Sequence, residues 1–366
     1  MLKDANSRTN LKIAHIHVAD RNNKGDRAIV LAVQELLRQQ FKRCRISNFS
    51  VELLKKGGAA DLKKINSADL VVIGGGGIFY SYFLPYNLDF IKGIKKPIVI
   101  LGVGYIREIG APALSPASAQ SVAQLVKAAA LVGVRDNNTK KFLVAQGALP
   151  AAVEVIGDPA ILLKEKKPRG FNLVEGNRKT SNQAPIRIGL NLNYSGWLGF
   201  GQWRRDILGA YQEVIDYFQK KYGELDGPGV EFYYFKHHPS EDNIYPALKI
   251  RDLKIVDLAP REQKYVYGKM DLVVGMMLHV GVLSVGAGTP AISVAYDLRN
   301  YSFAEFIGCP ELVVDLDKLK KGELLQRAIS IFTARKKYGL MFSRLLISIN
   351  KKQRSFLKEI FVYDFK

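Results

Sequence analysis

The sequence contains very little cysteine. Cys44 and Cys309 are the only cysteines among 366 residues, and they lie far apart in no spacing that is typical of metal ligands. A disulfide framework or a structural zinc site is therefore not expected, and two buried free thiols are the favoured interpretation. We accordingly predict no metal site and no resident cofactor.

The sequence also lacks a long uninterrupted apolar segment. No run of about 18 residues is free of charges and turn glycines, which is the length needed for a membrane-spanning helix. The first residues, "MLKDANSRTNLKIAHIHV", do not contain the apolar core of a signal peptide. We therefore expect a cytoplasmic protein.

Acidic residues are scarce relative to basic ones, with 34 Asp and Glu against 54 Lys and Arg and a formal net charge of +20. Such an excess attracts nucleic acid, an anionic membrane surface or phosphorylated substrates. Much of it lies in residues 318–360, where apolar residues recur at helical spacing. Two interpretations stay open: docking on the inner face of the cytoplasmic membrane, or ordinary helices with a solvated basic face. Nucleic acid is not expected as a partner because no recognised binding motif is present.

Apolar strands alternate with helical segments along the chain, whose length suits two domains at roughly 150 residues each. Continuous Val, Ile and Leu strands between helices indicate parallel sheets covered on both faces. We predict an α/β fold in which two Rossmann-like domains, residues 1–165 and 186–316, face a central cleft. Residues 164–185 are polar and predict a linker or exposed loop. Basic helices over 317–366 are expected to pack back towards the first domain.

Several predicted strands of the first domain end in glycines or polar side chains, at the edge where open α/β sheets bind ligands. The candidates there are Asn23, Asp26, Gly75, Gly76, Gly77, Arg107 and Arg135. Backbone N–H groups of a glycine turn can hold an anion, and an arginine can hold a carboxylate or phosphate with two hydrogen bonds. The alternatives are a helix cap for Asp26, close packing for the glycines, and an ion pair of Arg135 with Asp136 or Asp158.

The second domain offers a polar loop, "KHHPSED", after a predicted strand. Lys236 and His238 in this loop are candidates to bind the donor, and Glu241 is a candidate to contact the acceptor or line the cleft. Adjacent side chains on a strand point to opposite faces, so the two neighbouring histidines are not expected to share a metal ion. Tyr296 and Arg299, which follow a later strand, are further candidates for the acceptor side of the cleft.

His279 is a single imidazole inside the apolar stretch "VVGMMLHVGVLSVGAGTPAISVAYD". The pattern predicts two strands joined by a short helix over residues 279–287, with His279 near the helix start. There it could bind phosphate or move a proton, because a helix N-terminus favours negative charge beside it. The alternative is a buried histidine with a purely structural role. We take His279 and Asp26 as the candidate catalytic residues.

These segments together resemble the polysaccharide pyruvyl transferase family. The matching pieces, in the family's order, are "NNKGD", "DLVVIGGGGIF", "PIVILGVGY", "GVRDN", "VIGDPAILL", "HPSED" and "GMMLHVGVLSVGAGTPAISVAYD". The resemblance implies a fold similar to the GT-B glycosyltransferases and the transfer of pyruvate from phosphoenolpyruvate to a sugar as a ketal. It further implies that Arg135 binds the donor and that His279 is the acid/base or a phosphate ligand.

The resemblance is broken at one position. The family typically has an arginine two residues before this histidine, and here Met277 occupies that place. Methionine offers neither a charge nor a hydrogen-bond donor. Arg107, Arg299 or Lys236 could supply the missing cation, or the donor has changed.

Three hypotheses therefore follow from the sequence. The first is a pyruvyl transferase of surface polysaccharide biosynthesis, acting on a saccharide or lipid-linked saccharide acceptor. The second is a GT-B-type glycosyltransferase that uses a nucleotide sugar for cell-surface glycan assembly. The third is a relative without catalytic activity that binds glycans or scaffolds a biosynthetic complex.

Overall fold

The computed structural model describes residues 10–108, 110–170, 184–192, 200–223 and 229–360. The chain divides into two compact units. The first comprises Met1–Arg21, Asp26–Leu162 and Ile347–Lys366, and the second comprises Asn22–Gly25 and Leu163–Leu346.

The boundaries of these units differ from the predicted domains in two places. The segment Asn22–Gly25 belongs to the second unit, where the Lys24 backbone N–H donates to the carbonyl of His237 at 3.0 Å. The predicted C-terminal segment 317–366 is divided, because only the residues from Ile347 onwards belong to the first unit. Residues 171–183 of the predicted linker lie outside the described residues.

The first unit is built on a six-stranded parallel sheet. In spatial order its strands are β2 (Cys44–Ser50), β1 (Leu11–His17), β3 (Leu70–Gly74), β4 (Ile98–Val103), β5 (Leu131–Val134) and β6 (Val153–Val155). The strands β3 and β4 are buried along their whole length. This burial is what Val/Ile-rich strands require when helices cover both faces of a sheet.

Helices alternate with these strands in sequence. They are α1 (Lys24–Gln40), α2 (Leu53–Lys56), α3 (Ala59–Asn66), α4 (Leu88–Gly93), α5 (Pro116–Ala128) and α6 (Asn137–Ala145). Local signals set their starts: the Ser115 hydroxyl accepts from the N–H of Ser118 before α5, and the Asp136 carboxylate accepts from the N–H of Thr139 before α6. Such side-chain caps satisfy backbone donors that a helix leaves unpaired at its first turn.

The second unit also contains a six-stranded parallel sheet. In spatial order its strands are β12 (Val313–Asp315), β11 (Ala291–Ala295), β10 (Leu272–Gly275), β7 (Ile186–Leu190), β8 (Val230–Phe235) and β9 (Lys254–Val256). Its helices are α7 (Phe200–Tyr222), α8 (Pro260–Tyr267), α9 (Leu278–Gly286), α10 (Leu298–Phe306), α11 (Glu323–Thr333) and α12 (Arg335–Glu359), the last of which continues into the first unit.

The C-terminal part of α12 packs into the core of the first unit. Phe356 is buried together with residues of the first sheet. A Cβ on Gly133 in β5 would lie 2.8 Å from the Phe356 ring, so the glycine makes room for the ring. The side-chain amide of Gln353 donates to the carbonyl of Ile156 at 3.3 Å. The predicted packing of C-terminal helices towards the first domain is found here.

Each sheet has a point at which the strand order reverses. In the first unit it lies between β1 and β3, and in the second unit between β7 and β10. Ligands of open α/β sheets bind outside the carboxyl ends of the strands at such a point, where two connections leave in opposite directions. The loops after these four strands are therefore the first places to look for chemistry.

The structure bears on two expectations from the sequence, buried cysteines and the lack of a membrane-spanning helix. Both cysteines are free thiols, but Cys309 is buried whereas Cys44 on β2 is only half-buried, so the predicted burial holds for one of them. Among the described residues, no helix combines the length and the apolar character required to span a bilayer.

His15 is a fully buried imidazole in β1. Its Nε2 lies 2.8 Å from the carbonyl oxygen of Gly74, so Nε2 carries the proton and donates to the end of β3. Burial lowers the pKa of His15 from 6.5 to about 3. The imidazole therefore ties two neighbouring strands together in its neutral form.

This buried imidazole predicts a loss of stability in acid. In the unfolded chain His15 is protonated below about pH 6.5, whereas in the folded protein it is protonated only below about pH 3. The free energy of unfolding should therefore fall as the pH drops from 6.5 to 3. His15→Gln should flatten the pH dependence of the unfolding free energy by up to about 1.4 kcal/mol per pH unit. Denaturant titrations between these pH values measure both slopes, and equal slopes would contradict the account.

Candidate active site

The glycine turn after β3 is shaped by packing within the first unit. Gly75 and Gly76 have φ angles of 96° and 100°, a region that favours glycine. A Cβ on Gly76 would lie 2.6 Å from Val18, and one on Gly77 would lie 1.8 Å from Ile106. Close packing, the alternative weighed from the sequence, therefore accounts for the glycines, and an anion-binding role of their N–H groups stays a prediction.

Asp26 lies beside this turn at the start of α1. A Cβ on Gly76 would come within 3.2 Å of an Asp26 carboxylate oxygen, which places Asp26 at the reversal point of the first sheet. The helix cap is Asn23 instead, since its side-chain oxygen accepts from the N–H of Gly25 at 2.9 Å. Asp26 thus lies at the strand edge, where its catalytic role stays a prediction, whereas the Asn23 side chain caps α1.

Arg135 is buried between two carboxylates at the end of β5. Its Nε lies 3.3 Å from Asp136 and its Nη1 lies 3.6 Å from Asp158, and only 3% of its side chain is exposed. Its Nη2 makes no hydrogen bond to any described residue, and a Cβ on Gly104 would lie 2.2 Å from it. The ion pair expected as the alternative is present, Nη2 is buried as well, and a donor-binding role of Arg135 stays a prediction.

Arg107 is held by its own loop. Its Nε and Nη2 both donate to the carbonyl oxygen of Ala111, at 3.0 and 2.8 Å. The guanidinium thus orders the connection that follows β4. Its proposed contact with a donor stays a prediction.

Glu241 is the centre of a buried polar network in the second unit. One carboxylate oxygen accepts from the N–H groups of His237 and His238, and the other accepts from the Tyr234 hydroxyl and the Asn191 amide. Burial raises the pKa of Glu241, and the four donated hydrogen bonds oppose this by stabilising the carboxylate form. Glu241 was predicted to contact the acceptor or line the cleft. With 0% of its surface exposed it does neither, and it fixes the loop after β8 instead.

Asn191, directly after β7, extends this hydrogen-bond network to the residues that follow β10. Its side-chain nitrogen donates to Glu241 and to the carbonyl of Phe235, and its oxygen accepts from the N–H of Met277 at 3.2 Å. Three strand ends, those of β7, β8 and β10, are thereby joined through one amide. Sequence reasoning missed Asn191, although a polar residue directly after a buried strand is the signal that identified the other candidates.

Lys236 and Lys24 share a carboxylate. Lys236 lies 2.6 Å from Asp242 and 3.3 Å from Asp257, and the ammonium of Lys24 also binds Asp257. Lys24 donates in addition to the carbonyl of Lys236 at 2.8 Å, and burial lowers the pKa of Lys24. The predicted donor-binding Lys236 is thus already ion-paired, and sequence reasoning overlooked Lys24 within "NNKGD".

The two adjacent histidines have different surroundings, as expected. His237 is buried, its Nε2 lies 3.0 Å from the Tyr267 hydroxyl, and burial together with the nearby Lys24 charge lowers its pKa well below 6.5. His238 is half-buried, and its Nδ1 accepts from the N–H of Ser240 at 3.2 Å. Within the described residues, no group of three or more His, Cys, Asp or Glu side chains is arranged to hold a metal ion.

His279 lies in the first turn of α9, which begins and ends one residue earlier than predicted. Its imidazole packs directly on the backbone of Gly25, because a Cβ there would lie 2.4 Å from Nδ1. Only 8% of His279 is exposed. The residue therefore stands at the reversal point of the second sheet, on the N-terminal turn of a helix, with its ring fixed by a neighbouring glycine.

Met277 immediately precedes α9 and presents no charge. Its sulfur accepts from the Tyr296 hydroxyl at 3.8 Å. Arg299, a proposed replacement for the missing arginine, binds both carboxylate oxygens of Asp297 through its Nε, at 2.9 and 2.7 Å. Tyr296 and Arg299 do lie at the end of β11 as predicted, but the Arg299 charge is already matched.

Comparison with known proteins places these observations in context. A family model described as polysaccharide pyruvyl transferase matches residues 23–297. S. aureus MnaA, solved with UDP, is 11% identical at a TM-score of 0.57, over 91% of each chain. Anabaena HepE in complex with UDP and glucose is 13% identical at 0.55, over 96% of this chain and 98% of that chain.

A third similar structure is the UDP-GlcNAc 2-epimerase from Neisseria meningitidis bound to UDP-GlcNAc. It is 12% identical with a TM-score of 0.54, over 90% of this chain and 94% of that chain. Identities this low show the fold alone. The predicted fold class, α/β with two Rossmann-like domains of the GT-B-like kind, is thereby confirmed.

The buried network predicts that Glu241→Gln is destabilising. In this variant the side-chain N–H groups would face groups that themselves donate hydrogen bonds to the carboxylate of the wild type. Leaving these buried donors unpaired costs about 1–3 kcal/mol. Thermal unfolding should show a clear drop in Tm. Glu213→Gln on the exposed side of α7 is the control and should leave Tm unchanged. A harmless Glu241→Gln would contradict the assigned role.

The packing of His279 on Gly25 predicts an unusual response to alanine. Gly→Ala inside a helix normally stabilises by about 0.5–1 kcal/mol. Gly209→Ala in α7, where nothing lies within 4 Å of the new Cβ, should show this gain. Gly25→Ala should not, and it should shift the imidazole NMR signals of His279. A stabilised Gly25→Ala with unchanged signals would refute the contact.

Proposed function

The chain belongs to the polysaccharide pyruvyl transferase family and is a transferase, and from this premise we propose that phosphoenolpyruvate is its donor. The acceptor is a saccharide of a surface polysaccharide. Two of its hydroxyl oxygens bond to C2 of the pyruvyl unit to form a ketal, and inorganic phosphate leaves.

The position of His279 carries this proposal. The enol methylene of the donor must gain a proton to become a methyl group, which creates an oxocarbenium-like centre at C2. The hydroxyl protons must then be removed as the oxygens add. An imidazole can both give and take a proton near neutral pH. The N-terminal turn of α9 beside it favours the negative charge of the departing phosphate.

Three of the cationic side chains proposed to bind the donor already form ion pairs with carboxylates of the protein. Lys236 and Arg299 are matched by Asp242 and Asp297. Arg135 keeps an unpaired donor atom, Nη2, but this atom is buried, so binding of a donor carboxylate or phosphate by Arg135 requires that the end of β5 first open. Asp26, at the reversal point of the first sheet, is the second proposed acid/base group.

A second candidate function is favoured by Met277. An uncharged side chain at this position suits a donor that is not held by two cationic groups at the same place. A GT-B-type glycosyltransferase using a nucleotide sugar would meet this condition, and the folds of S. aureus MnaA and Anabaena HepE were solved with UDP. His279 and the loop after β8 would then line the pocket of that donor.

We also propose that the acceptor is carried on a lipid and that the protein works at the inner face of the cytoplasmic membrane. The net charge of +20 supports this location because anionic lipids attract a basic protein. The proposal includes no metal and no resident cofactor.

Product analysis tests the choice of donor. The purified protein is incubated with a lipid-linked or nitrophenyl sugar and either phosphoenolpyruvate or a set of nucleotide sugars, and the products are weighed by mass spectrometry. A pyruvate ketal with release of phosphate is expected. A glycosyl adduct without any pyruvate adduct would reject pyruvyl transfer in favour of the second function.

His279→Ala should reduce turnover by about 10²–10⁴-fold, the range of general acid–base catalysis, while Tm stays nearly constant. His279 lies at the edge of the sheet, and its removal takes away the packing of one ring on Gly25, so only a small fall in Tm is expected. Initial rates and melting curves on the same preparation separate the two effects. Full activity accompanied by a large fall in Tm would assign His279 a structural role instead.

Met277→Arg should maintain or strengthen binding of phosphoenolpyruvate, since it adds a charged fork beside α9. A thermal-shift titration measures this directly, because a ligand at about 100 times its Kd stabilises by roughly 2.7 kcal/mol. Met277→Lys is the control for charge without the fork. Weaker binding in both variants would indicate that the pocket takes a different donor.

A further inference from the structure

Seven residues of α12 form a continuous exposed stripe, which we call the α12 stripe. Their spacing alternates between three and four, which places them on one face of a helix. Its members, all exposed, are Lys337, Leu340, Arg344, Ile347, Lys351, Arg354 and Lys358.

The two aliphatic side chains of the stripe are unusually open to solvent. Leu340 is 68% exposed and Ile347 is 72% exposed. The opposite side of α12 already supplies the buried residues Phe342, Ile349 and Phe356. Other residues of the helix therefore pack in the core, and core packing does not explain why Leu340 and Ile347 are aliphatic.

The remaining five members of the stripe are cations. None of them forms an ion pair with a residue that the structure describes; Arg354, for example, donates to the neutral side chains of Asn350 and Gln39. Lys336 and Lys352 add exposed charge beside the stripe, and Glu359 is the one acidic residue in the sequence of α12. The helix thus presents a positive field that is hardly compensated locally.

A groove runs beside the C-terminal half of the stripe, between α1 and α12 of the first unit. Its volume is about 290 Å³, and its lining includes Gln39, Gln40, Lys351, Arg354 and Lys358. The three cationic side chains and the two amide side chains can all donate hydrogen bonds. A phosphate group matches the charge of this groove.

We propose that the α12 stripe docks the protein on a bilayer that contains anionic phospholipids. The cations bind headgroup phosphates, some of them in the groove between α1 and α12, and Leu340 and Ile347 enter the interface. Leu340 and Ile347 lie among the cations and not on a face of their own, so the attraction to headgroups is mainly electrostatic, with two aliphatic side chains as anchors. Single-stranded nucleic acid is instead bound by basic grooves with stacking aromatic rings. The stripe contains no aromatic residue.

This docking surface deepens the membrane location given in the proposed function, and it is independent of which donor is used. Activity on a soluble nitrophenyl sugar reports on the transfer reaction, whereas vesicle binding reports on the stripe. The two proposals can therefore fail separately.

Sedimentation with vesicles tests the surface. The full-length protein should bind vesicles of phosphatidylglycerol and phosphatidylcholine in equal parts and should ignore phosphatidylcholine alone. Lys351→Glu combined with Arg354→Glu should weaken binding at least tenfold. Lys63→Glu combined with Lys64→Glu on exposed α3 changes the net charge equally and should bind almost as well as the wild type.

The aliphatic residues are tested separately with Leu340→Ser and Ile347→Ser, which should weaken vesicle binding while leaving Tm and turnover of the soluble sugar unchanged. The proposal is overturned if anionic vesicles are not bound, or if the α3 and α12 charge variants lose binding equally. Stripe-dependent binding of RNA without any binding of vesicles would overturn it as well.

Discussion

One side-chain amide joins the strand ends at which the candidate site of the second unit lies. Asn191 receives the N–H of Met277 on its oxygen and donates from its nitrogen to Glu241 and to the end of β8. Glu241 in turn fixes the loop that carries His237. The start of α9, and with it the position of His279, thus rests on a buried carboxylate that has no contact with solvent.

The fold was accessible from sequence because it depends on short-range patterns. Runs of Val, Ile and Leu followed by glycine or a polar residue predicted the parallel strands and the ends at which ligands bind. The short helix over residues 279–287 was placed within one residue of α9 by the same logic. Periodicity and turn signals identify elements of this kind without knowledge of what they pack against.

The partners of the charged candidates could not be predicted in the same way. The Lys24–Asp257 ion pair joins residues 233 positions apart, and no local pattern announces such a contact. Lys236, Arg135 and Arg299 are each paired with a carboxylate in the folded chain, and of these pairs only that of Arg135 with Asp136 or Asp158 was considered from the sequence. Sequence reasoning found the edge of each sheet but not how charge is balanced there, which depends on burial and long-range geometry.

The central claim is that a proton is delivered to the methylene carbon of phosphoenolpyruvate. Running the reaction in deuterium oxide and recording the NMR spectrum of the product tests it most directly. The account predicts that each ketal methyl group formed by the wild-type protein contains one deuterium atom, and that His279→Ala forms almost no ketal. A product without a ketal methyl group, formed from a nucleotide sugar instead, would contradict it.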